Sequence, residues 1–102
     1  MEDLISLYEP IFLRHHIKKA ILFGSFARNE ASKHSDLDLI LIQETDKPFF
    51  ERYETILQEL NQITPHRSVD LLIYTPEELA AIRHRTFIAK AMKDGIVIYE
   101  SK

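Results

Sequence analysis

The sequence has no cysteine, only two glycines, and no apolar run that approaches the roughly 20 residues needed to span a bilayer. The absence of cysteine excludes a disulfide scaffold, a thiol nucleophile and a zinc site built on thiolates. The amino terminus, MEDLISLYEP, is acidic and lacks the basic start of a signal peptide. These absences predict a soluble, cytoplasmic protein that does not enter a membrane.

The chain also lacks an excess of basic charge, because 13 lysines and arginines stand against 16 aspartates and glutamates. A net charge of −3 argues against a broad basic face, so we expect no direct nucleic-acid binding. The 102 residues are 45% hydrophobic and 28% charged, which is ordinary globular composition and argues against disorder. A chain of this length builds one core, and we expect a single domain over residues 1–102.

Hydrophobic periodicity predicts strands that alternate with helices. Apolar runs predict strands over residues 17–23, 36–42, 68–74 and 96–99. Helical spacing predicts a helix at the amino terminus that kinks or ends early at Pro10, and another that begins at Pro48. Residues 75–78 (TPEE) have the spacing of a capping box and predict helix from there to Asp94. This order is typical of an α/β or α+β layer on a small sheet, with the second and third strands parallel.

The two glycines both fall between a helix and a strand. Gly24 ends the first predicted strand, and residues 25–31 suit a short helix after it. Backbone amides at such a helix start can bind an anion, and a glycine lets a phosphate approach the backbone closely. Ser25 adds a hydroxyl donor, although serine is also a favoured helix cap, and Arg28 could reach the same anion. Gly95 suits a left-handed residue after the last helix.

Three aspartates fall on or beside predicted apolar strands. Asp36 and Asp38 project from one face of the second strand, and a divalent cation would relieve the repulsion between them. Asp70 interrupts the apolar run SVDLLIY, and an isolated buried carboxylate needs a partner. If the second and third strands are parallel neighbours, Asp38 and Asp70 lie level and the three carboxylates converge near Gly24. Three acids beside an anion-binding turn are typical of two-metal phosphoryl or nucleotidyl transfer.

Structural explanations stand beside these functional ones. Asp70 would form a salt bridge to Arg67 or a lysine, and Arg28 would pair at the surface with Glu30 or Asp36.

Two other features have structural explanations. Lys90 and Lys93 are expected on a solvated helix face. Phe49 and Phe50 cannot both face inward from one helix, so one of them is expected at the surface as a candidate partner contact.

The spacing of Gly24-Ser25, ten residues and then Asp36-Leu37-Asp38 resembles the signature of the DNA polymerase β-like nucleotidyltransferase superfamily. The fuller pattern, FGSFAR followed by SDLDL, is similar to the minimal nucleotidyltransferases (MNT), and the similarity covers nearly the whole chain. The family usually has glycine after the arginine. Asn29 stands there instead, and asparagine tolerates a left-handed conformation, so we expect the turn to survive. The resemblance implies a polymerase β-like α/β fold, with a small mixed sheet flanked by helices.

The resemblance also implies an activity. MNT proteins are often paired with all-helical HEPN proteins as antitoxin and toxin, and some move AMP from ATP to a tyrosine hydroxyl of the toxin. The implied catalytic residues, which are also the ligands of two Mg²⁺ ions, are the three aspartates: Asp36, Asp38 and Asp70. The implied binding residues for the triphosphate are those of the turn: Gly24, Ser25 and Arg28.

The leading prediction is therefore a Mg²⁺-dependent adenylyltransferase that uses ATP and acts on a HEPN toxin. Larger relatives carry an extra helical domain, for which 102 residues leave no room, so we expect a partner protein to supply that wall of the site. Two alternatives stay open: a non-catalytic antitoxin that silences its partner by binding, and a small-molecule nucleotidyltransferase with an acceptor pocket that the sequence does not locate. The nucleobase, the acceptor and the oligomeric state, a homo-oligomer included, also stay open.

Overall fold

The computed structural model describes residues 2–32 and 34–101, in which helices and strands alternate along the chain. The helices are α1 (Glu2–Arg14), α2 (Gly24–Ala27), α3 (Glu54–Ile63), α4 (Pro76–Ile82) and α5 (Thr86–Asp94). The strands are β1 (Ile17–Phe23), β2 (Leu37–Gln43), β3 (Val69–Tyr74) and β4 (Ile96–Glu100). A 3₁₀ turn, Phe49–Arg52, precedes α3. Within these two ranges, no helix is both long enough and apolar enough to cross a membrane.

The strands form one mixed sheet in the order β3-β2-β1-β4. β1 pairs antiparallel with both β2 and β4, whereas β2 and β3 are parallel. A crossover that contains the 3₁₀ turn and α3 joins the parallel pair, so the predicted parallel pairing and mixed sheet are confirmed. The register of this pair places Asp38 directly opposite Asp70.

The two faces of the sheet pack against different helices. Alternate side chains of β2 point to one face and are at most 1% exposed: Leu37, Leu39 and Leu41. They belong to a cluster that includes buried side chains from α1 and α3. The opposite face carries Asp38 and Ile40, and Ile40 packs in a second cluster with Ala91 of α5. Asp38 therefore lies on the face of the sheet that α5 approaches.

α2 is shorter than the helix predicted over residues 25–31. It ends because Asn29 adopts a left-handed conformation, with φ of 58°. The Glu30 amide donates to the Ser25 carbonyl at 2.8 Å. The Asn29 amide donates to the Phe26 carbonyl at 3.3 Å. These two bonds form a Schellman motif, so the expectation that Asn29 would preserve the turn is confirmed.

Gly95 follows α5 but is not left-handed, so that prediction was wrong. Its φ of −69° and ψ of 153° are extended values that any residue adopts. Space is what requires the glycine: a Cβ would lie 2.6 Å from both the Ala91 carbonyl oxygen and Cγ2 of Ile21. The end of α5 therefore packs directly against β1.

The predicted helix starts and stops had different outcomes. α1 continues through Pro10 to Arg14, so the helix does not end early. Pro48 is the cap residue of the 3₁₀ turn rather than the start of a long helix, and α3 starts separately at Glu54. The capping box at α4 is confirmed, because the Thr75 hydroxyl accepts from the Glu78 amide and the Glu78 carboxylate accepts from the Thr75 amide.

Candidate functional site

Asp38 and Asp70 lie side by side near the amino-terminal ends of β2 and β3. The parallel ladder sets them level, as the sequence predicted. Burial, the charge and hydrogen bond of Asp70, and the charge of Asp36 together raise the pKa of Asp38 to about 6. A cation would relieve the repulsion between the carboxylates of Asp38 and Asp70, and carboxylate oxygens are the ligands that Mg²⁺ prefers. This pair therefore fits a hard divalent cation.

Gly24 lies against Asp38 at the end of β1. Phe23 pairs with Asp38 in the antiparallel ladder, which brings the next residue beside the carboxylate. Gly24 has φ of +71°, and a Cβ at this position would overlap the carboxylate, reaching within 3.0 Å of Cγ of Asp38. Both the backbone conformation and the available space therefore require glycine here.

A cavity of about 930 Å³ opens beside this pair. Its lining includes four of the site residues that the sequence predicted: Gly24, Arg28, Asp38 and Asp70. Its apolar lining from the sheet is Phe23, Leu71 and Leu72. The volume lies within the range of about 300–1,000 Å³ that is typical of small-molecule sites. The structure thus shows a cavity that the sequence did not locate.

Two predicted site residues lie outside the lining of this cavity. Ser25 is half-buried within α2, and Phe23 occupies the cap position, so Ser25 is not the helix cap either. Asp36 is exposed and precedes the first residue of β2, so the ladder does not fix its position. In the part of the chain that the structure describes, no group of three or more acidic, histidine or cysteine side chains is placed to share a metal ion. Of the three predicted carboxylates, Asp38 and Asp70 lie side by side, and the charge of Asp36 still raises the pKa of Asp38. The metal-binding role of Asp36 stays a prediction.

Arg28 forms the surface pair with Glu30 that the structural alternative predicted, and it also lines the cavity. It lines the cavity, and its charge lowers the pKa of Asp38, against the larger effects that raise it. Its Nε also donates to Glu30 at 3.1 Å, in an ion pair at the surface. Because a surface pair of this kind contributes at most about 1 kcal/mol, it does not prevent Arg28 from turning to an anion in the cavity.

Arg67 does not take the salt bridge to Asp70 that the structural alternative predicted. Its guanidinium group donates instead to the carbonyl oxygens of Ser32 and Ser35. It also lies 4.7 Å from the centre of the Phe26 ring, a cation–π arrangement. Arg67 thereby connects α2 with the loop that leads to β2.

α5 supplies the part of the cavity that the sequence analysis missed. One face of this helix lines it with five residues: Thr86, Phe87, Lys90, Ala91 and Asp94. Lys90 is exposed, as predicted, but the helix face that carries it also borders the cavity. The spacing of these residues at i, i+1, i+4, i+5 and i+8 marks one side of a helix, which is the signal that could have grouped them.

The adjacent phenylalanines before α3 separate as predicted. Phe49 packs against the rings of Tyr53 and Tyr74, at centroid distances of 5.2 Å and 5.9 Å. Phe50 is 87% exposed and does not line the cavity. The expectation that one of the two faces solvent is confirmed, and its role as a partner contact stays a prediction.

A mixed four-stranded sheet with paired aspartates beside a glycine turn is typical of enzymes that transfer nucleotides. Residues 8–102 match the sequence model of the family described as Polymerase beta, Nucleotidyltransferase. The chain belongs to this nucleotidyltransferase family. The family and the α/β fold class that the sequence indicated are therefore confirmed.

The chain is also similar to individual proteins. Over 65 residues it is 35% identical to a proposed protein adenylyltransferase of Methanocaldococcus jannaschii, covering 64% of this chain and 68% of that protein. Its fold matches a chain in a crystal structure of a toxin–antitoxin with AMP-PNP, with a TM-score of 0.68, 16% identity, and coverage of 96% and 74%. It also matches a chain in the complex of a tri-AMPylated Shewanella oneidensis HEPN toxin with an MNT antitoxin, with a TM-score of 0.62, 15% identity, and coverage of 99% and 74%. At these identities the two structures establish the fold.

Proposed function

We propose that this protein is a Mg²⁺-dependent adenylyltransferase that moves AMP from ATP to a tyrosine hydroxyl of a HEPN toxin, and so acts as an antitoxin. The observation that carries the proposal is the Asp38–Asp70 pair beside Gly24 at the edge of one cavity. The family supports nucleotide transfer, and the Methanocaldococcus jannaschii relative supports a protein as the acceptor. The similar toxin–antitoxin structures support a HEPN partner.

The residues around Gly24 would hold the triphosphate. The β and γ phosphates would lie close to the backbone at Gly24 and accept a hydrogen bond from the Ser25 hydroxyl. Arg28 would add a positive charge beside them. The carboxylates that would hold two Mg²⁺ ions are Asp36, Asp38 and Asp70. When bound, these ions neutralise the triphosphate and polarise the phosphorus that is attacked.

Asp70 is the residue best placed to accept the proton of the acceptor. It is exposed and level with Asp38, so a hydroxyl on a large partner can reach it. As the proton passes to Asp70, the hydroxyl oxygen bonds to the α-phosphorus, the bond from that phosphorus to the bridging oxygen breaks, and pyrophosphate leaves. The product is AMP joined to the acceptor oxygen.

A second candidate function is a non-catalytic antitoxin that silences its partner by covering it. Phe50 favours this candidate, because an aromatic ring that is 87% exposed outside the cavity is a candidate contact surface. A third candidate, a nucleotidyltransferase for a small molecule, would need room for its acceptor beside the ATP in the cavity of about 930 Å³.

The three candidates are separated by one experiment. The protein is incubated with labelled ATP, Mg²⁺ and its HEPN partner, and the partner is analysed by mass spectrometry for added AMP. We expect AMP on a tyrosine with the wild type and none with Asp38→Asn. Asp46→Asn, a change at an exposed acid outside the cavity lining, is the matched control and should leave transfer intact. Protection from the toxin without added AMP would favour the binding module, and label on a small molecule would favour the third candidate.

A further inference from the structure

Phe87 is a large aromatic side chain that is 60% exposed although it lines the cavity. Its ring centroid lies 5.8 Å from that of Phe23, and the two rings are perpendicular, at 89°. Phe23 directly precedes Gly24, so this contact fixes the Phe87 ring near the glycine turn. The protein therefore positions an aromatic ring at the candidate triphosphate site without covering it.

At least one face of the Phe87 ring is free of Phe23. In a perpendicular aromatic pair the edge of one ring meets the face of the other, so Phe23 covers one face of Phe87 at most. The exposure of 60% shows that the rest of the ring is open to the cavity or to solvent. Lys90 lies one turn further along α5 and lines the same cavity. An open aromatic face next to a cation suits a base and its phosphates.

We propose that the Phe87 ring is the platform on which the nucleobase of the bound nucleoside triphosphate stacks, with Lys90 beside the phosphate chain. This inference rests on the proposed function, in which Gly24, Arg28 and Asp38 serve the triphosphate and its cation but leave the base without a contact. A two-ring purine overlaps an aromatic side chain more than a one-ring pyrimidine does. Stacking on Phe87 therefore favours purine over pyrimidine nucleoside triphosphates, because the purine makes the larger contact area.

The comparison with Phe50 explains why Phe87 is assigned to the nucleotide rather than to a protein partner. Both rings are largely exposed, at 87% for Phe50 and 60% for Phe87. Phe50 lies outside the cavity, whereas Phe87 shares the cavity with Asp38 and Asp70. The ring that borders the paired acids is within reach of the same ligand.

The absence of tryptophan from this chain makes the inference directly measurable. Phe87→Trp introduces a single tryptophan, whose fluorescence is quenched when a base stacks on it. We expect saturable quenching by ATP and GTP in the presence of Mg²⁺, weaker quenching by CTP and UTP, and none by inorganic tripolyphosphate. Phe50→Trp is the matched control, and its emission should not respond to ATP.

Enzyme kinetics provide an independent readout. We expect Phe87→Ala to raise the KM for ATP by about fivefold to 150-fold, since stacking of one base is worth roughly 1–3 kcal/mol, while tripolyphosphate binds as tightly as before. Phe87→Tyr keeps an aromatic face and should keep the wild-type KM. An unchanged KM in Phe87→Ala would overturn the inference.

The inference and the proposed function fail in distinguishable ways. If Mg²⁺ and ATP raise the melting temperature but leave the fluorescence of Phe87→Trp unchanged, the nucleotide binds and the stacking platform is wrong. If Mg²⁺ and ATP change neither the fluorescence nor the melting temperature of Phe87→Trp, and also leave the melting temperature of the wild type unchanged, the proposed function is wrong. The stacking platform is then wrong as well.

Discussion

The space that a Cβ would occupy at Gly24 is filled by the carboxylate of Asp38. The sequence suggested that glycine is needed here so that a phosphate can approach the backbone. The structure adds two requirements that hold before any ligand binds, namely φ of +71° and the position of the Asp38 carboxylate. The position of the aspartate therefore requires the glycine of the motif.

Gly24→Ala is expected to abolish nucleotide binding by displacing the Asp38 carboxylate. It also forces a side chain into a left-handed conformation, which destabilises the fold by about 1–2 kcal/mol. Gly95→Ala is the control, because its Cβ would meet Ala91 and Ile21 away from the carboxylates. We expect it to lower the melting temperature and to weaken ATP binding much less than Gly24→Ala does, as measured by isothermal titration. Equal affinity for ATP in wild type and Gly24→Ala would show that the nucleotide binds elsewhere.

Asp38→Asn is expected to stabilise the metal-free protein at neutral pH. In the folded protein, burial and Asp70 raise the pKa of Asp38 from 3.8 to about 6. As pH rises from about 4 to 6, the unfolded chain releases this proton before the folded protein does, so the free energy of unfolding falls across that window.

The expected gain from Asp38→Asn at pH 8 is about 1–2 kcal/mol, since water still screens the half-buried carboxylate, and it should shrink below about pH 4. Urea unfolding in a chelator at several pH values measures it, with Asp46→Asn as the control. A gain that is the same at every pH would exclude the raised pKa of Asp38 as its cause.

Mg²⁺ together with ATP is expected to raise the melting temperature of the wild type. A ligand that binds only the folded state stabilises it by about 2.7 kcal/mol at a hundred times its Kd. Asp38→Asn should remove this stabilisation, because it removes half of the carboxylate pair. An unchanged melting curve of the wild type at millimolar Mg²⁺ and ATP would refute the metal–nucleotide site.

Asp70→Asn is expected to reduce AMP transfer without affecting partner binding, and Phe50→Ala is expected to weaken partner binding. Asp70→Asn removes a candidate metal ligand and base, so transfer should fall by several powers of ten while the partner still co-purifies. Phe50→Ala should weaken co-purification and leave ATP binding intact, because a few exposed aromatic anchors dominate interface energies. Full protection of cells by the double variant Asp36→Asn, Asp38→Asn, with no AMP on the toxin, would leave the binding module as the answer.

Arg67→Met is expected to lower the rate of AMP transfer more than it lowers the melting temperature. Arg67 connects the carbonyls of Ser32 and Ser35 to the Phe26 ring, and so couples α2 to the residues before Asp36. We expect a loss of about tenfold in kcat, because small displacements of positioned groups are costly to catalysis. Arg67→Lys should recover part of the rate, and an exposed arginine changed in the same way, Arg83→Met, should have no effect.

The sequence by itself determined the elements and part of the site. Alternation in DLDLILI placed the three leucines of β2 in the core and Asp38 on the other face. The crossover length predicted the parallel pair, and that pair set Asp38 level with Asp70. The capping box and the tolerance of Asn29 for positive φ were also correct. These signals succeed because each depends on residues within a few positions or on strand order alone.

Only the tertiary structure decided which side chains meet. It set Asp38 opposite Asp70, and it left Asp36 just ahead of β2, where the ladder does not fix that side chain. It brought Phe87 and Lys90 to the cavity, and it showed that Gly95 is required by the packing of α5 on β1. Periodicity describes one helix face at a time and carries no information about the element that this face meets. The contact between α5 and the end of β1 joins residues more than 60 positions apart, and it follows from the sheet order and the packing of the second core cluster.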